Sequence, residues 1–390
     1  MHLFINALAA SAGGGLTYLR NVIPHLAARY DTRTTVLLSG KLRSEFSEST
    51  NVKFLPADDF PQTARRFWFE QRVVPRFIQQ SGADVLLSTG NFAIRNPNVP
   101  QILLSRNALY TSRYFEEDLR ARGEFRLWID HRIKKAAAKW SIGVADRTVA
   151  PSEAFAQELG VWTGRQITAI HHGFDREAFV RDTVPLSDAV QERLNSSNGA
   201  LRILFVSHYN YYRNFETLFR AIPLINLKLA PRKVKLFLTC RLAPGANPGS
   251  YRPDSAAALL RDLGISSQVI ELGAVSYKSL HHLYRSADVY VSPAYAESFA
   301  HPLVEAMSSR LAVVASNLAV HKEICGSAAL YFDTFSPQEL ADRVVEIAQS
   351  PTLHVQLSQA GVQRSTAFSW KVNVERILAV AAELCRVRRR

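Results

Sequence analysis

Short apolar runs that alternate with longer amphipathic stretches recur through this chain, and no other feature restricts its fold as strongly. Such alternation builds parallel sheets covered by helices on both faces, because each strand reaches its parallel neighbour through a crossover helix. The first series opens with a strand at 2–8, a turn through Gly13, Gly14 and Gly15, and a helix at 16–29. Strands are predicted at 35–39, 85–89, 102–105, 148–150 and 166–170. A second series places strands at 202–206, 234–239, 269–272, 289–292 and 312–315. Between them the periodicity lapses, and Pro185, Ser187, Asn195, Ser196, Ser197, Asn198 and Gly199 collect. The predicted division is therefore an α/β lobe at 1–175, a linker at 176–200 and a second α/β lobe at 201–368. At 390 residues the chain exceeds what one core usually supports, which agrees with two lobes. From Ser369 onward, Trp370, Val374, Ile377, Ala381 and Leu384 recur at spacings of four and three, one face of a helix over 369–390 that must pack on a lobe.

Composition narrows the function classes. With 47% hydrophobic and 21% charged residues the chain is an ordinary globular one. Cys240, Cys325 and Cys385 are too few and too scattered for a disulfide framework or a zinc site, which suits a reducing, cytoplasmic setting. No apolar run reaches the roughly 18 residues of a membrane span. Residues 3–12 end in Ala-Ala-Ser-Ala like a cleavage region, yet no Lys or Arg precedes them, Asn6 interrupts them and glycines follow, so they read as a strand and turn. The net charge of +13 predicts polyanionic partners: phosphorylated ligands, anionic lipid or nucleic acid. No helix-turn-helix, zinc finger or aromatic RNA-binding strand is recognisable, which disfavours nucleic acid.

The most informative segment is Glu297-Ser298-Phe299-Ala300-His301-Pro302-Leu303-Val304-Glu305, after the strand ending near Pro293. Pro302 suits the first residue of a helix, leaving Glu297 in the loop and Glu305 one turn inside. Backbone N–H groups at such a helix start, among Ser298, Phe299 and Ala300, suit a phosphate. A carboxylate beside them can accept both hydroxyl protons of a ribose, and the loop acid can hold a sugar hydroxyl. A second constellation, His208-Tyr209-Asn210-Tyr211-Tyr212-Arg213-Asn214, leaves a strand edge and enters a helix.

Here the chain resembles glycosyltransferase family 4, the group 1 glycosyltransferases. The likeness is good over 201–387 and weaker before. It includes Ser286-Ala287-Asp288-Val289-Tyr290-Val291-Ser292-Pro293, Val313-Val314-Ala315-Ser316 and Phe368-Ser369-Trp370. In the first lobe it includes Ala145-Asp146-Arg147-Thr148-Val149-Ala150-Pro151-Ser152 and Ile170-His171-His172-Gly173-Phe174-Asp175. The resemblance implies the GT-B fold, two facing Rossmann-like lobes with a central cleft. It implies transfer of a sugar, with retained anomeric configuration and without metal or cofactor, from a UDP- or GDP-sugar donor to a glycan or lipid-linked acceptor. By the same resemblance Glu305 binds the donor ribose, Glu297 the transferred sugar, and Arg213 the diphosphate. His208, Asn214 and the backbone of Gly14 and Gly15 join the donor site.

Departures are visible too. His208 stands where an Arg is usual, and a neutral His stabilises phosphate less. No first-lobe histidine follows the strand at 102–105; Arg106 and Asn107 occupy that place, to position donor or acceptor. There is no Asp-x-Asp triplet for a metal. A nucleotide-sugar epimerase, or a non-catalytic nucleotide-sugar-binding protein, is the competing reading. Last, the stretch 126–140 predicts a helix whose apolar stripe, Ile129, Ile133, Ala136, Ala137 and Trp140, packs on the sheet. Its basic stripe, Trp128, Arg132, Lys135 and Lys139, then faces outward toward an anionic cytoplasmic membrane surface, to which the protein attaches peripherally.

Overall fold

The computed structural model describes residues 1–10, 14–60, 62–181, 183–197 and 199–388. The chain forms two compact units, Met1–Gly173 with Phe368–Arg390, and Phe174–Ala367. Gly13 of the expected turn lies outside the described residues.

In the first unit, strands β1 (His2–Asn6), β2 (Arg33–Ser39), β3 (Val52–Ala57), β4 (Val85–Ser88), β5 (Gln101–Leu104), β6 (Arg147–Ala150) and β7 (Thr168–Ala169) make one sheet. Their order is β3-β2-β1-β4-β5-β6-β7, with every pairing parallel. The register sets Ile5 beside Val36 on one side and Leu87 on the other. Central strands such as β1 and β4 are buried throughout, as strands covered on both faces must be. The helix Gly14–Ala27 buries Tyr18, Leu19, Val22, Ile23 and Leu26 against this sheet.

The C-terminal helix, Trp370–Arg388, joins the same core through Trp370, Val374, Ile377, Leu378 and Ala381, with Leu384 partly buried. Its start is tightly held. A Cβ on Gly173 would stand 2.0 Å from the Trp370 nitrogen and 2.4 Å from its Cα, so only glycine permits the two backbones to touch. Around that point Trp370 packs on His172 and Tyr18, and Asn373 donates to the His171 carbonyl.

The second unit repeats the plan. Strands β8 (Leu201–Phe205), β9 (Val234–Leu238), β10 (Val269–Glu271), β11 (Val289–Ser292), β12 (Ala312–Ser316) and β13 (Ala329–Phe332) run parallel in the order β10-β9-β8-β11-β12-β13. Both sheets wind outward from their first strand in two directions, the doubly wound arrangement. Strands β3 and β13 escape a reading of hydrophobic runs because polar or half-buried side chains such as Lys53 and Tyr331 interrupt them.

Two expectations are corrected. Residues 176–200 are not an unstructured connector: helices Arg176–Arg181 and Asp188–Asn195 form there and belong to the second unit. Phe179, Val190 and Leu194 are buried, and the Arg202 guanidinium donates to the Leu194 carbonyl, the Ser197 hydroxyl and the Ser286 carbonyl. The turn residues punctuate two short helices rather than one long gap.

The second correction concerns the helix Phe125–Val144, which turns its face the other way. Its buried residues are His131, Ala138, Ser141 and Ile142, whereas Ile129, Ile133 and Trp140 are exposed. Small side chains allow the close approach, and His131 fills the gap between Tyr110 and Phe115. Lys135 of the supposed outward stripe is tied to Glu116 at 2.5 Å. Among the described residues no helix is long and apolar enough to cross a membrane.

The backbone contact at Gly173 yields a test. Gly173→Ala should destabilise the protein by at least about 2 kcal/mol, as overpacking a contact that cannot yield does. Urea unfolding measures it; a loss within error would show that residues 368–370 shift freely.

Candidate active site

In a doubly wound sheet the two central strands lead their following loops to opposite faces, opening a crevice at their carboxyl ends. In the second unit those strands are β8 and β11. The loop after β8 carries 206–214 and the loop after β11 carries 293–300, so topology alone brings the two sequence motifs to one place.

Their charged residues meet there. The Arg213 guanidinium forms an ion pair with the Glu297 carboxylate through Nη1 and Oε1, with side chains 20% and 10% exposed. Arg213 also lies over the Tyr212 ring, 4.9 Å from its centroid. A planar cation held between a carboxylate and an aromatic face is preorganised, which suits it to a diphosphate. His208 sits on the same turn; burial, and then the charge of Arg213, hold its imidazole below the ordinary histidine value. It is therefore a neutral hydrogen-bonding group at pH 7 rather than a second cation.

Glu305 lies one turn into the helix His301–Ser308, which begins one residue before Pro302. Glu305 is 6% exposed, and its carboxylate accepts a hydrogen bond from the Tyr284 hydroxyl at 2.9 Å. Burial pushes it up to about 7, with the Tyr284 bond pulling the other way. The helix is entered through Ala300 at φ 65°, ψ 60°, a left-handed conformation that costs an alanine roughly 1–2 kcal/mol. Strain at this point turns the 297–300 loop onto the helix start. Phe299 is buried, 4.8 Å from the His301 ring centroid, while Ser298 is half-buried.

Asn214 is a different kind of residue from its neighbours. Its Nδ2 donates to the carbonyls of Pro293 (3.0 Å) and Thr334 (2.8 Å), and its Oδ1 accepts from the Thr217 hydroxyl (2.8 Å). With φ 55° it turns the chain into the following helix and ties the β8 loop to the end of β11. Its hydrogen bonds go to the helix that follows the Arg213 loop and to that loop's neighbours.

The first unit gathers its own set at the carboxyl edge. Arg106, after β5, donates to the Gly14 carbonyl at 2.9 Å and the Thr89 carbonyl at 2.7 Å, and lies 5.8 Å from the Tyr18 ring centroid. Burial lowers this guanidinium to about 10. A Cβ on Gly15 would come within 3.1 Å of Ala10 and 3.3 Å of the Arg106 Nη2, so the glycine turn, Arg106 and Ala10 form one tight joint. Asn107 caps the short 3-10 helix Ala108–Tyr110, its Oδ1 accepting from the Leu109 amide at 3.1 Å. Both residues shape loops of their own unit.

Tyr284 and Tyr212 were not legible as site residues. Tyr284 lies in a helix of alternating apolar and basic residues, where nothing marks it as the partner of an acid twenty-one positions on.

Against this geometry, a family model described as glycosyl transferases group 1 matches residues 187–364, and one described as Glycosyltransferase Family 4 matches residues 12–178. The chain belongs to the family 4, group 1 glycosyltransferases. A D-inositol 3-phosphate glycosyltransferase of Catenulispora acidiphila is 27% identical over 249 residues, 61% of this chain and 57% of that protein. The like-named protein of Mycolicibacterium smegmatis is 28% identical over 245 residues, 60% and 52% of the two. The chain thus matches about half the length of these curated relatives.

Among solved structures, sucrose-phosphate synthase from Thermosynechococcus elongatus superposes with a TM-score of 0.75 at 17% identity, over 99% of this chain and 100% of that one. The HepE protein of Anabaena, in complex with UDP-glucose, gives 0.72 at 17% identity over 98% and 100%. These place the fold among GT-B glycosyltransferases.

The buried carboxyl of Glu305 predicts a pH effect. Between the ordinary value of 4.5 and about 7, the folded chain keeps a proton on Glu305 that the unfolded chain has lost. Stability from this group therefore falls as pH rises through that window. Glu305→Gln should relieve it, gaining stability over the parent at pH 8 relative to pH 5 by on the order of 1–3 kcal/mol. Glu70, likewise pushed up to about 7 by burial, keeps its share in both proteins. Parallel pH profiles in urea unfolding would show that Glu305 ionises without cost.

Proposed function

We propose that the protein transfers a sugar, with retained anomeric configuration and without a metal, from a UDP- or GDP-sugar to a hydroxyl of a glycan or lipid-linked acceptor. The observation that carries this reading is the Arg213–Glu297 ion pair at the carboxyl edge of β8 and β11, with the buried Glu305 on the helix that follows the Glu297 loop. The cation, a sugar-binding carboxylate and a ribose-binding carboxylate are the groups a nucleoside diphosphate sugar needs.

In the reaction the bond from the anomeric carbon to the diphosphate oxygen breaks, and one to the acceptor oxygen forms. Negative charge gathers on the departing diphosphate, which takes up the acceptor's proton. Arg213 stabilises that charge from a position set before the reaction starts, the most effective use of an electrostatic group. The pairing with Glu297 gives Arg213 a second task. While the site is empty each group neutralises the other; an arriving diphosphate competes for the guanidinium and frees the Glu297 carboxylate for hydroxyls of the transferred sugar. His208, neutral, donates or accepts a single hydrogen bond and leaves the cationic role to Arg213. Glu305 receives the ribose hydroxyls in place of part of its Tyr284 contact. In the first unit, Arg106 holds the glycine turn by donating to the Gly14 carbonyl.

Calorimetric titration with UDP and GDP, alone and as sugar conjugates, tests the proposal. Arg213→Ala should weaken nucleoside-diphosphate binding and lower turnover by roughly a hundredfold to a thousandfold. Glu297→Gln should leave binding of the free diphosphate equal or tighter, because Arg213 loses its competitor, while slowing sugar transfer by a similar factor. Unchanged kinetics in the Arg213 variant would remove it from the site. Donor isomerisation without an acceptor would favour an epimerase, and binding without turnover a non-catalytic role.

A further inference from the structure

The outward face of the helix Phe125–Val144 is apolar and largely exposed, covered only at Trp140, by Phe67, among the described ring contacts. Phe125 is 60% exposed, Ile129 53%, Ile133 66% and Trp140 38%. At 100° per residue these four, with the exposed Ala136, occupy a sector of about 80°. Exposed cations stand at both edges: Arg126 on one, Arg132 and Lys139 on the other. Nearby acids are neutralised in place, Asp130 by Lys134 at 2.7 Å and Glu116 by Lys135 at 2.5 Å. The neighbouring helix Thr63–Arg72 touches this one where Phe67 packs on Trp140, and it exposes Trp68 (59%) between Arg65 and Arg72, with Arg72 5.4 Å from the Trp68 ring centroid.

We infer that this face docks on an anionic bilayer, the stripe from Phe125 to Trp140 entering the headgroup boundary and Arg126, Arg132 and Lys139 meeting the lipid phosphates. A large apolar face rimmed by cations, with tryptophans at its margins, is the composition of a helix lying in the membrane interface. Two energies add: burial of exposed aliphatic and aromatic surface, and attraction of basic groups to an anionic leaflet, about 1 kcal/mol for each. A second copy of the chain is the poorer occupant. A two-fold pairing across this stripe would bring the rims of two copies together, cation against cation, on a chain already carrying +13. The docking differs from one based on the basic stripe alone, because the apolar residues supply a part of the binding that salt does not screen. It does not rest on the donor-site reading.

Sedimentation of the full chain with vesicles of equal parts phosphatidylcholine and phosphatidylglycerol, and with phosphatidylcholine alone, tests it. The expected result is binding to the anionic vesicles, reduced but not abolished at high salt, with a blue shift in tryptophan fluorescence. Ile129→Glu with Ile133→Glu should lower the partition by roughly a hundredfold. Arg132→Glu with Lys139→Glu should remove the salt-sensitive part. All four positions are exposed, so circular dichroism and thermal melting should match the parent. Absence of binding to anionic vesicles at low salt would overturn the inference, as would binding indifferent to the isoleucine pair. A concentration-dependent dimer, lost in the isoleucine variant and without lipid binding, would assign the face to a second copy. Donor binding by the same variants, measured without lipid, tests the sugar-transfer proposal separately.

Discussion

Parallel pairing of every strand in each sheet is the constraint on which the rest depends. It sends every loop that follows a strand to one edge, and the doubly wound order opens that edge between the two central strands. In the second unit the loops after β8 and β11 meet there, so Arg213 and Glu297, eighty-four residues apart, form an ion pair. The same geometry in the first unit lets Arg106, after β5, reach the carbonyls of Gly14 and Thr89. The sites are consequences of strand order, held by a few side chains whose whole hydrogen-bonding capacity is spent on loops, Asn214 above all.

Buried charge is the second theme. Glu305 is removed from water with one neutral partner, Tyr284, and its carboxyl is pushed up accordingly. A cation beside Glu305 would hold its carboxyl ionised; a neutral phenol does so far less. Ala300 tells the same story in backbone terms, a left-handed residue whose cost is borne where the loop meets the helix. Stability and site geometry oppose each other at both positions, as is common where a protein must hold a ligand that is not yet there.

The helix Phe125–Val144 illustrates how periodicity misleads. Its sequence contains an apolar stripe at helical spacing, and burying that stripe is the ordinary outcome. The fold instead buries His131, Ala138, Ser141 and Ile142, because a narrow, small-residue face fits its neighbours and a broad one does not. The larger hydrophobic residues are left outside, and with their flanking cations they make the exposed face a surface in its own right.

Alternating apolar runs in the sequence determined the α/β class, the two series of strands and the face of the C-terminal helix that is buried, since these follow from local periodicity and burial. The spacing of Glu297, Pro302 and Glu305 likewise placed one acid in a loop and one in a helix, because helix entry is a local matter. Tertiary structure alone decided the rest. Which loop residues meet, as Arg213 meets Glu297 and Tyr284 meets Glu305, depends on strand order. Whether Arg106 and Asn107 reach a ligand or tie a loop depends on which carbonyls and amides lie nearby. Whether residues 176–200 link or fold, and which way Phe125–Val144 faces, depends on the partners available to Leu194 and His131. Those partners come from distant segments, and a single residue's neighbours in sequence carry no record of them.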